Sequence, residues 1–119
     1  MEKISIVIPC YNEEEAIPVY YEEMKKIMLF MKQVKFELLF VDDGSSDHTL
    51  EEMRTLSHRD KRCRYLSFSR NFGKEAAIYA GLSNAVGDYV VVMDSSGVYQ
   101  TRRYCGEHNT ENWIINKNH

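Results

Sequence analysis

Cysteine is sparse, with three in 119 residues (Cys10, Cys63 and Cys105), an odd number at irregular spacing. That pattern makes no disulfide scaffold, and the opening Met1-Glu2-Lys3-Ile4 leads into no long apolar leader, so a reduced, cytoplasmic setting is expected. No apolar run approaches the ~20 residues that a helix needs to cross a bilayer, and no transmembrane segment is expected within this chain. Positive charge is not in excess either: 15 basic against 18 acidic side chains leave a net charge of −3. Without a basic field or a polybasic tract, nucleic acid is not an expected partner. What remains, 44% apolar and 28% charged residues, is the balance of one ordinary globular core.

The apolar residues fall into short runs separated by polar turns. Lys3 to Ile8 is β-branched and bounded by Pro9, which predicts a strand buried on both faces and cut off where the N–H is missing. Pro18 suits the first turn of a helix, and Tyr20, Met24, Ile27, Met28 and Met31 recur at three and four residues, predicting an amphipathic helix to about Met31. A second strand is predicted over Phe36–Val41, ending in the turn formers Asp42 to Asp47. Leu50, Met53 and Leu56 then mark a second helix. Arg64–Phe68 reads as a third strand and Lys74–Val86 as a third helix, with Gly87 suited to a left-handed cap. Tyr89–Met93 is the fourth strand. Strands alternating with helices predict an α/β fold: a parallel sheet with right-handed crossovers and helices on both faces. Its ligand site is expected beyond the carboxyl ends of the strands.

Four strings carry chemistry at those ends. In Val7-Ile-Pro-Cys-Tyr-Asn-Glu-Glu14, Pro9 fixes the strand exit, Tyr11 can lie against a flat base, and Glu13 is a polar group at the helix entrance. Asn12 followed by Glu15 also fits a capping box, which would be structure and nothing more. Val41-Asp-Asp-Gly-Ser-Ser-Asp47 places two adjacent carboxylates where successive side chains diverge, so one of Asp42 and Asp43 can face a cleft and accept a base N–H. The rival there is an Asx turn with a cap at Asp47; an EF-hand is excluded, because the alternating ligands and the later glutamate are absent. Ser69 to Ala77 supplies Arg70 and Lys74, whose cations suit a diphosphate, and Gly73, which could let backbone N–H groups approach an anion. No Gly-x-Gly-x-x-Gly follows the first strand, so the nicotinamide-dinucleotide fingerprint is missing.

In this order, and with Gly87-Asp-Tyr-Val-Val-Val-Met-Asp94, these strings resemble family 2 glycosyltransferases over residues 3 to 94. The likeness is to the branch with dolichol-phosphate mannosyltransferase-like and bactoprenol-phosphate glucosyltransferase-like enzymes. The resemblance implies the Rossmann-like, nucleotide-binding half of a GT-A fold and transfer of a hexose from a nucleotide sugar to polyprenyl phosphate or another acceptor. UDP-linked donors are favoured over GDP-linked ones. It implies donor-binding roles for Pro9, Tyr11, Glu13, Asp42, Asp43, Arg70 and Lys74, with Asp43 preferred for the base. It also implies magnesium or manganese at Asp94.

The chain departs from the family after that point. The family's Asp-x-Asp pair would put a second aspartate at position 96, where this chain has Ser96, and residues 95–119 are polar and unlike the acceptor-binding half, which would hold the catalytic base. The expectation is a donor-binding unit over 1–94, followed by a poorly ordered tail over 95–119, in a truncated or frameshifted enzyme. The alternative is a non-catalytic nucleotide-binding fragment.

Overall fold

The computed structural model describes residues 1–93 together with the backbone of residues 114–116. In chain order the described elements are β1 (Lys3–Cys10), α1 (Ala16–Phe30), β2 (Lys35–Asp42), α2 (Thr49–Arg59), β3 (Cys63–Ser67), α3 (Lys74–Asn84), β4 (Tyr89–Val92) and β5 (Ile114–Asn116). They form one sheet in the order β3-β2-β1-β4-β5. β1 to β4 are mutually parallel, and β5 runs antiparallel to β4. The expected α/β architecture is present.

The near-continuous apolar strands are explained by burial on both faces, since neighbouring side chains point to opposite sides. Ile6, Ile8 and Cys10 of β1, Leu38 and Phe40 of β2, and Val91 pack with Ile17, Tyr20, Met24 and Met28 of α1 and with Met53 and Leu56 of α2. Val7, Leu39, Val41, Val90 and Val92 face the other way, against Ala77 and Ile78 of α3. So α1 and α2 cover one face and α3 the other. α3 sits so close that a Cβ on Gly81 would lie 2.2 Å from a methyl of Val7. Small residues on this helix are therefore a packing requirement.

β1 runs through Pro9 to Cys10, two residues beyond the expected end, because its β2 edge continues in register (Pro9 with Val41, Cys10 with Asp42). Proline is tolerated because pairing with β4 stops at Val7 and Val92. The Met93 N–H still donates to the Val7 carbonyl at 2.9 Å, so the next ladder bond on that side would need the N–H that Pro9 lacks. The pairing of β1 with β4 ends there. This is also the switch point, where successive connections leave in opposite directions, and crevices in open α/β sheets form at such points.

Two expectations need correction. Gly87 is not a left-handed cap: α3 ends at Asn84 with Ala85 as its C-cap, and the positive-φ glycines are Gly44 and Gly73. Gly87 is instead confined by space, since a Cβ would stand 2.7 Å from the Ser5 backbone nitrogen. Within 95–119 the sequence predicts no element, yet Ile114, Ile115 and Asn116 pair with Val91, Val90 and Tyr89. The rest of that stretch, with Asp94 and Ser96, lies outside the described residues.

Candidate functional site

Pro9, Cys10, Tyr11, Glu13, Asp43 and Lys74 line a cavity of about 140 Å³ at the carboxyl ends of β1 and β2 and the start of α3. Of the eight site residues expected from the sequence, the structure thus brings together Pro9, Tyr11, Glu13, Asp43 and Lys74. Asp42 and Arg70 stand apart from this cavity, and Asp94 falls outside the described residues.

Asp42 and Asp43 are both buried, 2% and 4% exposed, but on opposite sides of the strand. Asp42 turns inward. Its Oδ1 accepts the Ser45 N–H at 3.0 Å, an Asx turn, and its Oδ2 is 3.4 Å from the Ser67 hydroxyl. Asp43 turns toward α3 and the cavity. Its Oδ1 accepts the backbone N–H groups of Phe72 (2.8 Å) and Gly73 (3.2 Å), and its Oδ2 accepts the Asn71 amide at 3.2 Å. The anion that meets these amides at the start of α3 is therefore Asp43 itself, not a ligand, contrary to the expectation for Gly73. A carboxylate offers about four acceptor positions. Three of them are filled by these donors.

Gly44 makes this junction possible. At φ +71° it occupies the left-handed region, and a Cβ there would be 2.1 Å from the Arg70 carbonyl carbon, so the 70–71 backbone rests directly on it. Arg70 itself lies over the Phe72 ring, 4.7 Å from its centroid, and Phe72 meets Phe68 edge-on at 5.6 Å. The guanidinium is held by this stacking, away from the cavity lining.

The loops after β1 and β2 are stitched together by residues that sequence analysis passed over or assigned to caps. The Asn12 N–H donates to the Ser45 hydroxyl at 2.9 Å, and the Asn12 side-chain oxygen accepts the Ser46 N–H at 2.9 Å. The Glu13 N–H donates to the Thr49 hydroxyl at 2.8 Å, and that hydroxyl donates to Asp47 Oδ1, which also accepts the Thr49 N–H at 2.9 Å. Asn12, at φ 52°, is thus a cross-loop bridge and not the cap of α1, which begins at Ala16 without a side-chain cap. Burial would raise the Asp47 pKa, but the Thr49 hydroxyl, the Thr49 N–H and the Glu14 N–H outweigh it and hold the carboxyl below its ordinary value. The network fixes Tyr11, 47% exposed, and Glu13 at the cavity mouth.

A divalent ion needs several oxygen ligands. No group of three or more histidine, cysteine, aspartate or glutamate side chains among the described residues is placed to hold one. No helix of the described residues is long and apolar enough to cross a membrane.

A sheet of four parallel strands with helices on both faces, and polar loops gathered at the carboxyl ends of its strands, is a Rossmann-like α/β unit. The glycosyl transferase family 2 profile matches residues 5–107, and the chain belongs to that family. It is 46% identical over 92 residues to a bactoprenol glucosyl transferase of Shigella phage SfV, covering 77% of this chain and 30% of the relative. The fold matches residues 1–349 of S. aureus TarS in complex with UDP, with a TM-score of 0.69 and 26% identity, covering 89% of this chain and 32% of that one. It also matches glucosyl-3-phosphoglycerate synthase from Mycobacterium tuberculosis, solved with Mn2+, UDP and glucosyl-3-phosphoglycerate. There the TM-score is 0.61 and the identity 27%, covering 79% of this chain and 33% of that one. The chain thus spans about a third of the length of the proteins it matches.

Proposed function

We propose that these residues form the donor-nucleotide site of a glycosyltransferase that moves a hexose from a nucleotide sugar to polyprenyl phosphate or another acceptor, in the cytoplasm. UDP-linked donors are preferred to GDP-linked ones. The observation that carries this is the convergence of Pro9, Tyr11, Glu13, Asp43 and Lys74 on one cavity at the carboxyl ends of β1 and β2. Tyr11 flanks the base, and the remaining acceptor position of Asp43 takes a base N–H. Asp42 supports the donor site from behind, through Ser45 and Ser67. Lys74 and Arg70 meet the diphosphate, as cations suited to phosphate oxygens. Magnesium or manganese held by Asp94 would offset the charge that develops on the departing nucleotide.

At about 140 Å³ the cavity is smaller than the ~300–1,000 Å³ of a complete small-molecule site, in keeping with a base or a diphosphate rather than a whole nucleotide sugar. The acceptor preference follows the name of the phage relative, and the UDP preference follows the UDP-bound neighbours. Transfer also requires an acceptor held in reacting geometry, a contribution of up to ~7–11 kcal/mol. The 119 residues alone are therefore expected to bind nucleotide without turnover.

Calorimetry with UDP, GDP and NAD, each with and without Mn2+, tests the proposal. UDP should bind best and respond to the metal. Binding of NAD as tight as that of UDP would overturn the donor assignment.

A further inference from the structure

A second groove, of about 400 Å³, lies at the opposite end of the strands from the donor cavity. Lys3 comes from the start of β1, Lys35 and Phe36 from the start of β2, Arg62 and Arg64 from the approach to and start of β3, Met28 from the last turn of α1, and Lys32 and Val34 from the turn between α1 and β2. Lys61 completes the rim. Six cationic side chains therefore surround one hollow in a chain whose net charge is −3, and the one carboxylate lining it is Glu37.

The two guanidiniums already have partners. Arg64 pairs with Glu37, which also accepts the Ser5 hydroxyl at 2.6 Å and the Val86 N–H at 3.1 Å. Arg62 pairs with Asp60 at 2.7 Å. The side chains of Lys3, Lys32, Lys35 and Lys61 have no ion pair or hydrogen bond among the described residues. Four such ammonium groups around one hollow repel one another, and a surface under no constraint would intersperse them with acids. Beneath them the floor is apolar, with Met28 and Phe36 both buried in the core.

The form of the hollow selects the ligand. A flat bilayer would touch only the rim and leave the apolar floor empty, whereas a concave site of this volume is the size that takes a discrete small molecule. Four unpartnered ammonium groups match three or four negative charges, and the floor matches a flat or apolar body. We propose that this groove binds a compact small molecule carrying several phosphate charges on such a body, the chemistry of a nucleoside triphosphate, at a site separate from the donor cavity.

Calorimetry on the whole chain, in the absence of divalent metal, uses ATP and inorganic tripolyphosphate as probes. The proteins are the unmodified chain, the double variant Lys32→Glu/Lys61→Glu and, for the donor cavity, Lys74→Ala. Both lysines of the double variant are exposed, and an unchanged melting temperature verifies its fold. Saturable binding should be weakened about tenfold or more by the double charge reversal, should fall with added salt, and should change less than about twofold in Lys74→Ala. ATP should bind more tightly than tripolyphosphate, because only ATP has a body to set on the floor. Binding that survives the double variant, or that is lost in Lys74→Ala, would place the anion in the donor cavity and overturn the proposal. So would the absence of saturable binding, tripolyphosphate binding as tightly as ATP, or capture by phosphatidylglycerol vesicles without binding of either probe.

Discussion

The Phe72 backbone N–H donates to Asp43 Oδ1 at 2.8 Å, and this bond joins the end of β2 to the loop that opens α3. With the Gly73 N–H and the Asn71 amide on the same carboxylate, Asp43 ties the α3 loop to the lining of the proposed donor cavity. Asp43→Asn keeps the Oδ1 contacts but sets an amide against the Asn71 amide. UDP affinity should fall by about tenfold, with a loss of folding stability of ~1–2 kcal/mol. Asp43→Ala leaves two backbone donors unpaired and should cost more stability, ~2–4 kcal/mol. Urea melts and UDP titration measure both quantities. Full stability with unchanged UDP affinity in Asp43→Asn would contradict the dual role.

Gly44 and Gly73 both have positive φ but differ in surroundings. A Cβ at Gly73 meets nothing within 4 Å, whereas one at Gly44 strikes the Arg70 backbone. Gly73→Ala should therefore cost only conformational strain, ~1–3 kcal/mol, and Gly44→Ala that strain plus displacement of the 70–71 backbone, ~2–5 kcal/mol. Denaturant melts of the two variants compare them. A Gly73→Ala penalty equal to that of Gly44→Ala would show that the contact with Arg70 contributes nothing.

Much of this was legible in the sequence, because two-sided burial writes β-branched runs and a helix facing a core writes a three-to-four repeat. Tyr20, Met24, Met28, Met53 and Leu56 lie where that repeat places them. Relations between distant segments were not legible. Asn12 has the local look of a helix cap, and only the folded chain sets it against Ser45 and Ser46. The glycine before Asp88 looks like a helix terminator until Ser5 is seen to occupy the space its side chain would need. Lys3, Lys32, Lys35 and Lys61 form no run along the chain, so the groove that gathers them left no trace in a scan for charge blocks. The convergence on the donor cavity could be anticipated because parallel topology carries every strand's carboxyl end to one edge.

Acid should weaken the fold through Glu37. Burial pushes its pKa up, but the Ser5 hydroxyl, the Arg64 guanidinium and the Val86 N–H outweigh that and hold it below the ordinary value of 4.5. A depressed carboxyl stabilises the fold above its unfolded pKa and loses that contribution as pH falls through the folded one. The unmodified chain should therefore lose stability below about pH 4.5, and Glu37→Gln should lose less over the same range. At pH 7 the variant should already be ~1–3 kcal/mol less stable, since the Arg64 pair and a buried acceptor are weakened. Melting temperatures of both proteins from pH 7 to pH 3 test this. Parallel curves would assign the acid sensitivity to other carboxylates, such as Asp60, whose pairing with Arg62 also holds it low.

Lys74, the first residue of α3, lines the proposed donor cavity beside Glu13 and Asp43, and its proposed partner is the diphosphate rather than the base. The two parts of the ligand can be separated by comparing UDP with uridine. Lys74→Ala removes a charge-assisted bond of ~1.5–3 kcal/mol, so UDP affinity should fall by roughly tenfold to a hundredfold while uridine affinity stays within about twofold. Lys74→Arg keeps the charge but changes the shape of the donor group, and should recover part of the loss. Arg70→Ala should act in the same direction but more weakly, because that guanidinium stacks on Phe72 and does not line the cavity. Fluorescence or calorimetric titration of the three variants with both ligands provides the numbers. An equal loss of UDP and uridine in Lys74→Ala would mean that the lysine shapes the cavity instead of meeting phosphate, and the diphosphate would then have to be sought against Arg70.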